Sequence, residues 1–417
     1  MSKKRAETLL ELREPDYMDA FVCTGGLCPD TCCQGWEIVI DEATCDRYAR
    51  TADDEVRELL GRAIVHRQEE QADGTMDDVA CIRMGKGQRC LFLRNDGLCM
   101  IQRKTEEGNL SETCRTYPRV IYCWNDHYAE RALCVSCPEA AKLILGQDKP
   151  LHFHTRELAE EELSGLRITD AGEHLRMDCL PLRRFIVHIL QAHGQPLADR
   201  LRLADDYFWE AALIGGHHAG RQQSRLQAAY AIQLRPEHDP ITGERPDSRW
   251  RLEQLQCLLQ LRLRNPELRL DFRQRIESAL AYWHLEDQAA VTAASLARYE
   301  EDEEIYRAFF LPVYELLLEN YLVNAVFKNL FITEEQPDYY REWLRLVLQF
   351  SLVRFLLIAQ LADYQQVPER QAVIDLIQQT TRAVGHDSLY LDQAAAGLAA
   401  GQDKATAFRT FCLKMLA

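Results

Sequence analysis

Four cysteines within eleven residues constrain the fold of this chain more than any other feature of its sequence. The spacing is C-x4-C-x3-C-C, and the cysteines are Cys23, Cys28, Cys32 and Cys33. Such a cluster indicates metal or iron–sulfur ligation, a disulfide framework or thiol–disulfide exchange. Gly25, Gly26 and Pro29 disfavour regular secondary structure. The segment therefore predicts a loop that folds around a metal and turns its thiolates inward.

Length, charge and cysteine distribution narrow the possibilities. The chain has 417 residues, enough for two domains, and a formal net charge of -16. This acidic balance argues against nonspecific nucleic-acid binding, which needs a basic face to displace counterions from phosphate. Of the 15 cysteines, 12 lie at or before Cys137. The sequence thus predicts a cysteine-rich domain over residues 1–150 and a second domain over 151–417, in which Cys179, Cys257 and Cys412 are expected to be buried packing residues.

The sequence predicts neither a targeting segment nor a membrane span. The N-terminus starts with basic residues, but no apolar stretch and no small-residue cleavage site follow. The most apolar stretch, residues 343–361, is interrupted by Arg345, Gln349, Arg354 and Gln360. We therefore expect a cytoplasmic protein with reduced thiols, and this location favours metal ligation over disulfides.

Short strands and helices are predicted between the cysteines of the first domain. Alternating apolar residues over 36–41 indicate a strand, and Asp41 is expected to cap a helix that runs to about Ala63. Residues 66–78 are polar and are interpreted as a loop. Two strands joined by a turn are expected within 121–135.

A hairpin signal around Asn95-Asp96-Gly97 separates Cys90 from Cys99. In a regular hairpin these two cysteines would be roughly 10–13 Å apart along the strands. Two ligands of one zinc ion must lie within about 4 Å of each other. The sequence therefore predicts either an irregular hairpin or two cysteines that serve different sites.

From about residue 155 the apolar pattern is helical. Phe309, Val313, Leu317 and Tyr321 recur at helical spacing and are predicted to share a buried face. The acidic run at 300–304 is interpreted as a solvated helix start, with an acidic face for a lysine-bearing partner as the alternative. The predicted fold class is α+β: a small cysteine-rich N-terminal domain with short strands, followed by a mostly α-helical domain.

Four motifs of the first domain occur together in a fixed order. They are the cysteine cluster with Gly-Trp-Glu-Ile-Val-Ile-Asp at 23–41, the segment 90–99, Leu-Ser-Glu-Thr-Cys-Arg-Thr-Tyr-Pro-Arg at 110–119 and Ser-Cys-Pro-Glu at 136–139. In this order they resemble the flagellin lysine-N-methylase family, and more broadly cysteine-cluster proteins described as zinc- or iron-chelating. The resemblance implies methyl transfer from S-adenosylmethionine to surface lysines of flagellin, dependent on an iron–sulfur cluster.

The resemblance also selects eight cysteines as metal ligands. They are Cys23, Cys28, Cys32, Cys33, Cys90, Cys99, Cys114 and Cys137. Eight thiols exceed the four that one [4Fe–4S] cluster or one zinc ion needs, so two sites, or one site plus structural thiols, are both open. Because adjacent residues of an extended backbone point to opposite faces, one of Cys32 and Cys33 is expected to serve another site or to pack.

Known signatures for handling S-adenosylmethionine do not occur in the sequence. A C-x3-C-x2-C motif begins at Cys28 and Cys32 but ends on Gly35, and no G-x-G-x-x-G follows a predicted strand. The cofactor pocket and the catalytic base are therefore not assigned. Two other functions stay open: a non-catalytic zinc- or iron-binding protein, and redox exchange through Cys134 and Cys137.

Other candidate residues have a structural interpretation beside the functional one. Arg115 and Arg119 flank a Tyr-Pro pair beside a predicted ligand and could offset thiolate charge. Four histidines are candidate ligands that we interpret mainly as loop or surface residues: His152, His154, His217 and His218. The peripheral cysteines are expected to pack, and they are Cys45, Cys81, Cys123 and Cys134.

Overall fold

The computed structural model describes residues 9–36, 38–70, 76–105, 107–125, 127–159, 179–214, 219–234, 247–286, 290–329, 339–364, 366–401 and 403–416. The chain divides into two compact units. The first comprises residues 1–14, 18–140 and 154–172, and the second comprises 15–17, 141–153 and 173–417. The α+β prediction is confirmed, because short strands form small sheets in the first part of the chain and helices dominate the rest.

Strands of the first part form two sheets. The strands are β1 (Leu9–Pro15), β2 (Ile38–Ile40), β3 (Ile64–Glu70), β4 (Met76–Ile82), β5 (Arg119–Asn125), β6 (Tyr128–Leu133) and β7 (Phe153–Ala159). One sheet has the order β5-β6-β1-β7, with β1 parallel to β6 and β5 antiparallel to β6. The other has the order β2-β4-β3 and is antiparallel throughout.

Short helices connect these strands. They are α1 (Glu42–Ala49), α2 (Asp54–Ala63), α3 (Met100–Lys104), α4 (Glu112–Thr116) and α5 (Pro138–Leu145). Asp41 caps α1 as predicted, because its carboxylate accepts a hydrogen bond from the backbone N–H of Thr44 at 2.7 Å. The single helix predicted up to Ala63 is wrong, because Asp53 caps a second helix with a bond from Val56.

The prediction of a strand after the cysteine cluster is confirmed, and that of a loop over 66–78 is wrong. Ile38 and Ile40 are buried while Val39 is exposed, as expected for a half-buried strand. Residues 64–70 and 76–82 pair as a β-hairpin, with Glu70 opposite Met76. Polar side chains do not prevent a strand here, since strand pairing provides hydrogen bonds for the backbone N–H and C=O groups whatever the side chains are.

The hairpin predicted around residues 95–97 is irregular. Cys99 pairs with Leu93 and Cys90 pairs with Met84, each in an isolated antiparallel bridge, and α3 begins at Met100. Because the two cysteines do not face one another across regular strands, the 10–13 Å separation expected along an ideal ladder does not apply here.

Helices form most of the remaining chain. They are α6 (Cys179–Leu190), α7 (Leu197–Ile214), α8 (Ala219–Gln233), α9 (Ser248–Leu263), α10 (Leu270–Tyr282), α11 (Ala293–Ile305), α12 (Leu311–Lys328), α13 (Tyr339–Tyr364), α14 (Arg370–Val384), α15 (Ser388–Leu398) and α16 (Lys404–Leu416). The expectation of helix from residue 155 is wrong at its start, because Phe153–Ala159 is strand β7. Residues 340–363 are long and apolar enough to cross a membrane, and 78% of their most apolar window is buried inside the protein.

A π-helical turn at Tyr306–Phe310 joins α11 to α12 and changes which residues are buried. A π-helical turn contains more residues than an α-helical turn, so the residues that follow it are shifted around the helix axis. Leu317 and Tyr321 are buried as predicted, but Phe309 and Val313 are 62% and 56% exposed. Phe310 is buried in place of Phe309, so the predicted apolar face is wrong in its first two members.

The acidic run at 300–304 is not a solvated helix start. It lies in the second half of α11, and both Asp302 and Glu303 are buried. The carboxylate of Glu303 accepts bonds from Arg251 and Arg354. Among the later cysteines Cys412 is buried as predicted and Cys257 is exposed, whereas the side chain of Cys179 lies outside the described residues.

Candidate functional site

A cavity of about 280 Å³ in the first unit is lined by all eight cysteines that the sequence selects as ligands. They are Cys23, Cys28, Cys32, Cys33, Cys90, Cys99, Cys114 and Cys137, and each is a free thiol. The segments that carry these cysteines are separated by up to about a hundred residues, and only tertiary folding places them around one cavity. The structure thus gathers the predicted ligands without a disulfide among them.

The loop after Cys23 owes its position to a close backbone approach. A Cβ atom on Gly26 would lie 2.6 Å from the carbonyl oxygen of Asp96, so only glycine fits against this turn. Gly97 itself has φ +77°, in the left-handed region that favours glycine. Two glycines therefore allow the segment of Cys23 and Cys28 to pack against the segment of Cys99.

Trp36 holds the other end of the cysteine loop. Its indole N–H donates to the carbonyl oxygen of Cys32 at 2.5 Å, and its ring lies 5.1 Å from that of Tyr117. Tyr117 in turn shares a hydrogen bond of 3.0 Å with the hydroxyl of Ser136, next to Cys137. These contacts tie three of the four sequence motifs together around the cavity.

Cys32 and Cys33 do not point away from each other. The backbone is a turn at both residues, so the alternation of an extended strand does not apply, and their side chains form a hydrogen bond with each other. This hydrogen bond, followed by burial and the charge of Cys33, raises the pKa of the Cys32 thiol. The alternation expected of extended backbone does not apply to this pair, and the prediction that one of the two serves another site or packs stays a prediction.

The thiols of Cys90, Cys99, Cys114 and Cys137 are protonated at neutral pH unless a cation joins them. Burial, and then the charges of neighbouring thiolates, raises the pKa to about 12 for Cys90 and Cys114 and to about 11 for Cys137. Burial also raises the pKa of Cys99. A bound metal would remove these protons, since thiolates are the ligating form.

Three buried polar atoms of residues that line the cavity have no hydrogen-bond partner in the described part of the chain. They are the Nε of Arg115, the Oγ1 of Thr24 and the hydroxyl of Tyr48. A buried donor without a partner costs about 1–3 kcal/mol, so such atoms often mark the place of a bound group. A guanidinium beside several thiolates suits an occupant whose ligands carry negative charge.

The donor set fits an iron–sulfur cluster better than one metal ion. Within the described residues, no three His, Cys, Asp or Glu side chains are arranged to hold a metal ion. A zinc ion needs its thiolates within about 4 Å of one another, whereas a four-iron cluster takes each thiolate on a different iron and accepts a wider set. Eight thiols around one cavity are therefore donors of the kind that an iron–sulfur cluster takes.

The peripheral cysteines and two of the candidate histidines do not line this cavity. Cys45 and Cys123 pack against hydrophobic clusters, and Cys81 and Cys134 are buried. His152 pairs with Asp16 at 3.0 Å and His154 with Glu14 at 3.6 Å, so both have carboxylate partners. The surface interpretation is confirmed for His152, which is exposed, whereas His154 is half-buried beside the buried Glu14.

Three more sequence candidates have different outcomes. His217 and His218 lie outside the described residues. Arg119 lines the thiol cavity, and its guanidinium lies 4.8 Å from the centre of the Phe21 ring.

We expect thiol labelling of metal-free protein to rank the cysteines by environment. Cys23 and Cys257 are exposed and should react first with iodoacetamide, while Cys90 and Cys114 should lag. Because burial raises the pKa of these two thiols to about 12, their labelling rates should still increase above pH 9. Peptide mass spectrometry over time measures the order. Equal rates for Cys90 and Cys257 would contradict it.

A second cavity, of about 530 Å³, lies in the helical unit. Its wall combines the rings of Tyr282 and Phe309 with the carboxylates of Glu301 and Asp302. The guanidinium of Arg298 lies 3.8 Å from the centre of the Tyr282 ring. Sequence reasoning missed this cavity, because the π-helical turn that exposes Phe309 leaves no signal in the apolar pattern.

Comparison with known proteins shows which family this chain resembles. The family model described as the FliB lysine N-methylase C-terminal domain matches residues 183–408, more than half of the chain. Two curated proteins named lysine-N-methylase, from Salmonella typhimurium and Salmonella choleraesuis, are each 24% identical over 175 residues. Each alignment covers 42% of this chain and 42% of the relative, so the match spans less than half the length of those proteins.

A third relative is shorter. The flagellar biosynthetic protein FliU of Salmonella muenchen is 27% identical over 137 residues, which cover 33% of this chain and 78% of that protein. No solved structure matches the chain.

Proposed function

The chain belongs to the FliB lysine N-methylase family, and we propose that it is a protein-lysine N-methyltransferase that acts on flagellin with S-adenosylmethionine and a cysteine-bound iron–sulfur cluster. The match of residues 183–408 carries the methyltransferase part, and the names of the relatives support lysine methylation and a flagellar substrate. The eight thiols around one cavity support the cluster. We further propose that it works in the cytoplasm.

The two units have different proposed roles. The cysteine-rich part, residues 1–150, would hold the cluster, and the helical part, 151–417, would bind the protein substrate. When bound, the cluster would be held by four of the eight thiols and would cross-link the loops that carry them. The unpartnered Nε of Arg115 would then face a group surrounded by thiolate charge.

In the proposed reaction a neutral lysine ε-amine attacks the methyl carbon of S-adenosylmethionine. The new N–C bond forms as the S–C bond breaks, and the bonding electron pair stays on sulfur, which gives S-adenosylhomocysteine. The methylated ammonium then releases a proton to water, so charge and atoms balance. The amine must lose its own proton before attack, which requires a base or a site that lowers its pKa.

Two measurements test this function. The first is the iron, zinc and acid-labile sulfide content of protein purified without oxygen, together with its absorption spectrum. Iron and sulfide in roughly equal amounts are expected for a [4Fe–4S] cluster. Zinc without sulfide would instead favour a structural zinc module and remove the cluster from the proposal.

The second measurement is methyl transfer to purified flagellin from isotope-labelled S-adenosylmethionine, with peptide mass spectrometry of the product. We expect label on surface lysines and none on flagellin whose lysines have been acetylated. Absence of label with cluster-loaded protein would overturn the methyltransferase proposal.

The cavity of the helical unit is the proposed contact for the substrate lysine segment. Carboxylates beside aromatic rings suit a lysine ammonium group. The ammonium can form an ion pair with a carboxylate and a cation–π contact with a ring. We expect Phe309→Ala to raise the KM for flagellin roughly five- to tenfold, as loss of one interface aromatic commonly does.

Val313→Ala is the matched control for this substitution. Val313 is 56% exposed and lies one helical turn beyond Phe309, but it does not line the cavity. Its KM should stay at the wild-type value, and the iron content of both variants should be unchanged. Equal KM values for the two variants would show that the cavity does not contact flagellin.

A further inference from the structure

The cavity of the helical unit carries charges of both signs. Its wall includes the guanidinium of Arg298 and the carboxylates of Glu301 and Asp302. A lysine side chain brings one positive charge, which the carboxylates attract and the guanidinium repels. The proposed lysine contact therefore leaves Arg298 without a role. An arginine in this place suits a second ligand that carries an anionic group.

Helical spacing places these charges side by side. Arg298, Glu301 and Asp302 occupy positions i, i+3 and i+4 of helix α11, which lie on one face of a helix. The guanidinium of Arg298 lies 3.8 Å from the centre of the Tyr282 ring, so the ring supports the cation. The carboxylate of Asp302 accepts hydrogen bonds from the indole of Trp283 at 2.8 Å and from the Tyr282 hydroxyl at 3.5 Å. The cavity thus presents a supported cation beside a fixed carboxylate.

The remaining wall is largely apolar, and the cavity is larger than a lysine contact needs. Ile305, Leu361 and Val367 supply apolar surface of the kind against which a purine base packs. The volume of about 530 Å³ falls within the range of about 300–1,000 Å³ found for pockets that bind drug-sized ligands. A single lysine side chain is much smaller than such a ligand, so the cavity has room for a small molecule as well.

The proposed reaction states which small molecule must be near. The lysine nitrogen has to approach the methyl carbon of the donor to about 3–3.5 Å before attack. A cavity that receives the lysine must therefore also hold the methyl donor. S-adenosylmethionine carries one carboxylate and two cations, its ammonium and its sulfonium. The described residues of the wall offer one guanidinium and two carboxylates, so the charges are complementary.

We propose that S-adenosylmethionine binds in this cavity, with its carboxylate on Arg298, its cationic groups beside Glu301 and Asp302, and its adenine against the apolar wall. The inference rests on the proposed function, which supplies the methyl donor and the lysine contact. It adds a cofactor site that no sequence motif assigns. The residues that line the cavity lie between 282 and 367, inside the part of the chain that the family model matches.

The test measures binding of two thioether ligands to the full, cluster-loaded chain by isothermal titration calorimetry under nitrogen. S-adenosylhomocysteine carries the amino-acid carboxylate, and methylthioadenosine lacks it. Arg298→Met keeps an apolar side chain over the Tyr282 ring and removes the charge. We expect the Kd for S-adenosylhomocysteine to rise about ten- to hundredfold, as for loss of a hydrogen bond to a charged group. The Kd for methylthioadenosine should keep its wild-type value.

Arg264→Met is the matched control. Arg264 is an exposed arginine of the same unit and does not line the cavity. This variant should bind both ligands as the wild type does. Because Arg298 is exposed as well, neither substitution should shift the midpoint of urea unfolding. Equal affinity of Arg298→Met and wild type for S-adenosylhomocysteine, or an equal loss for both ligands, would overturn the assigned carboxylate contact.

A measurement on wild-type protein locates the donor without any substitution. Ultraviolet light cross-links bound, methyl-labelled S-adenosylmethionine to nearby residues, and peptide mass spectrometry identifies them. We expect label in peptides from 282–309 or 361–367. Label confined to 23–139 would place the donor at the thiol cavity and overturn this inference, while the methyltransferase proposal would stand. Absence of both cross-linking and S-adenosylhomocysteine binding would overturn this inference together with the donor named in the proposed function.

Discussion

Glu303→Ala should destabilise the protein by roughly 3–5 kcal/mol, the cost of removing one partner of a buried ion pair. Glu303 is buried and accepts hydrogen bonds from Arg251 and Arg354, with Arg307 at 3.3 Å. Two of these guanidinium groups would stay inside the helical unit without their carboxylate. The measurement is the shift in midpoint of urea unfolding, followed by circular dichroism of the helices.

Glu304→Ala supplies the control, because Glu304 is the exposed neighbour in the same helix. A change within about 0.5 kcal/mol is expected there. Although burial alone would raise the pKa of Glu303, the charges of Arg354, Arg251 and Arg307 hold it below the ordinary value of 4.5. A carboxyl group with a lowered pKa stabilises the folded protein at pH values above 4.5, and this stabilisation is lost as the pH falls. The difference in unfolding free energy between Glu303→Ala and wild type should therefore shrink in acid. Equal midpoints of the two variants at neutral pH would contradict the buried network.

Gly26→Ala should open the thiol cavity and lower the iron content of the reconstituted protein. The new Cβ would meet the carbonyl oxygen of Asp96 at 2.6 Å, and because that atom belongs to the backbone, the loop must move. Overpacking of this kind costs about 1–3 kcal/mol. The displaced loop carries Cys23 and Cys28 away from the turn that precedes Cys99. Iron per chain and the unfolding midpoint of the first unit measure the effect.

Gly61→Ala gives the contrasting result at another glycine of the first unit. Nothing lies within 4 Å of a Cβ built on Gly61, which is exposed in helix α2. Alanine in a helix is favoured over glycine by about 1 kcal/mol, so this variant should be slightly more stable and keep its iron. Wild-type iron content in Gly26→Ala would show that the close contact does not position the loop.

Patterns with a local cause were predictable from the sequence. Ile38 and Ile40 alternate with an exposed Val39, and Asp41 caps the following helix, because strand alternation and capping depend on neighbours a few residues apart. The eight cysteines were selected from motif resemblance, and the structure lines one cavity with all of them. The family also followed from motif order in the first 145 residues, whereas the matching family model covers 183–408.

Predictions failed where distant contacts overrode the local pattern. Residues 66–78 are mostly polar, yet 64–70 and 76–82 pair as strands, and β2 pairs with β4 in the same sheet. The π-helical turn at 306–310 shifted the buried face from Phe309 to Phe310. Glu303 lies in an acidic run that looks solvated, but arginines from two other helices bury it.

The sequence by itself therefore determined the fold class and the family, and its motifs selected the eight cysteines as candidate ligands. Only the tertiary structure decided which thiols lie together. Cys33 and Cys90 are 57 positions apart and still share a backbone hydrogen bond. The physical reason is that metal ligation depends on distance in space, and sequence spacing fixes that distance only within one turn or loop.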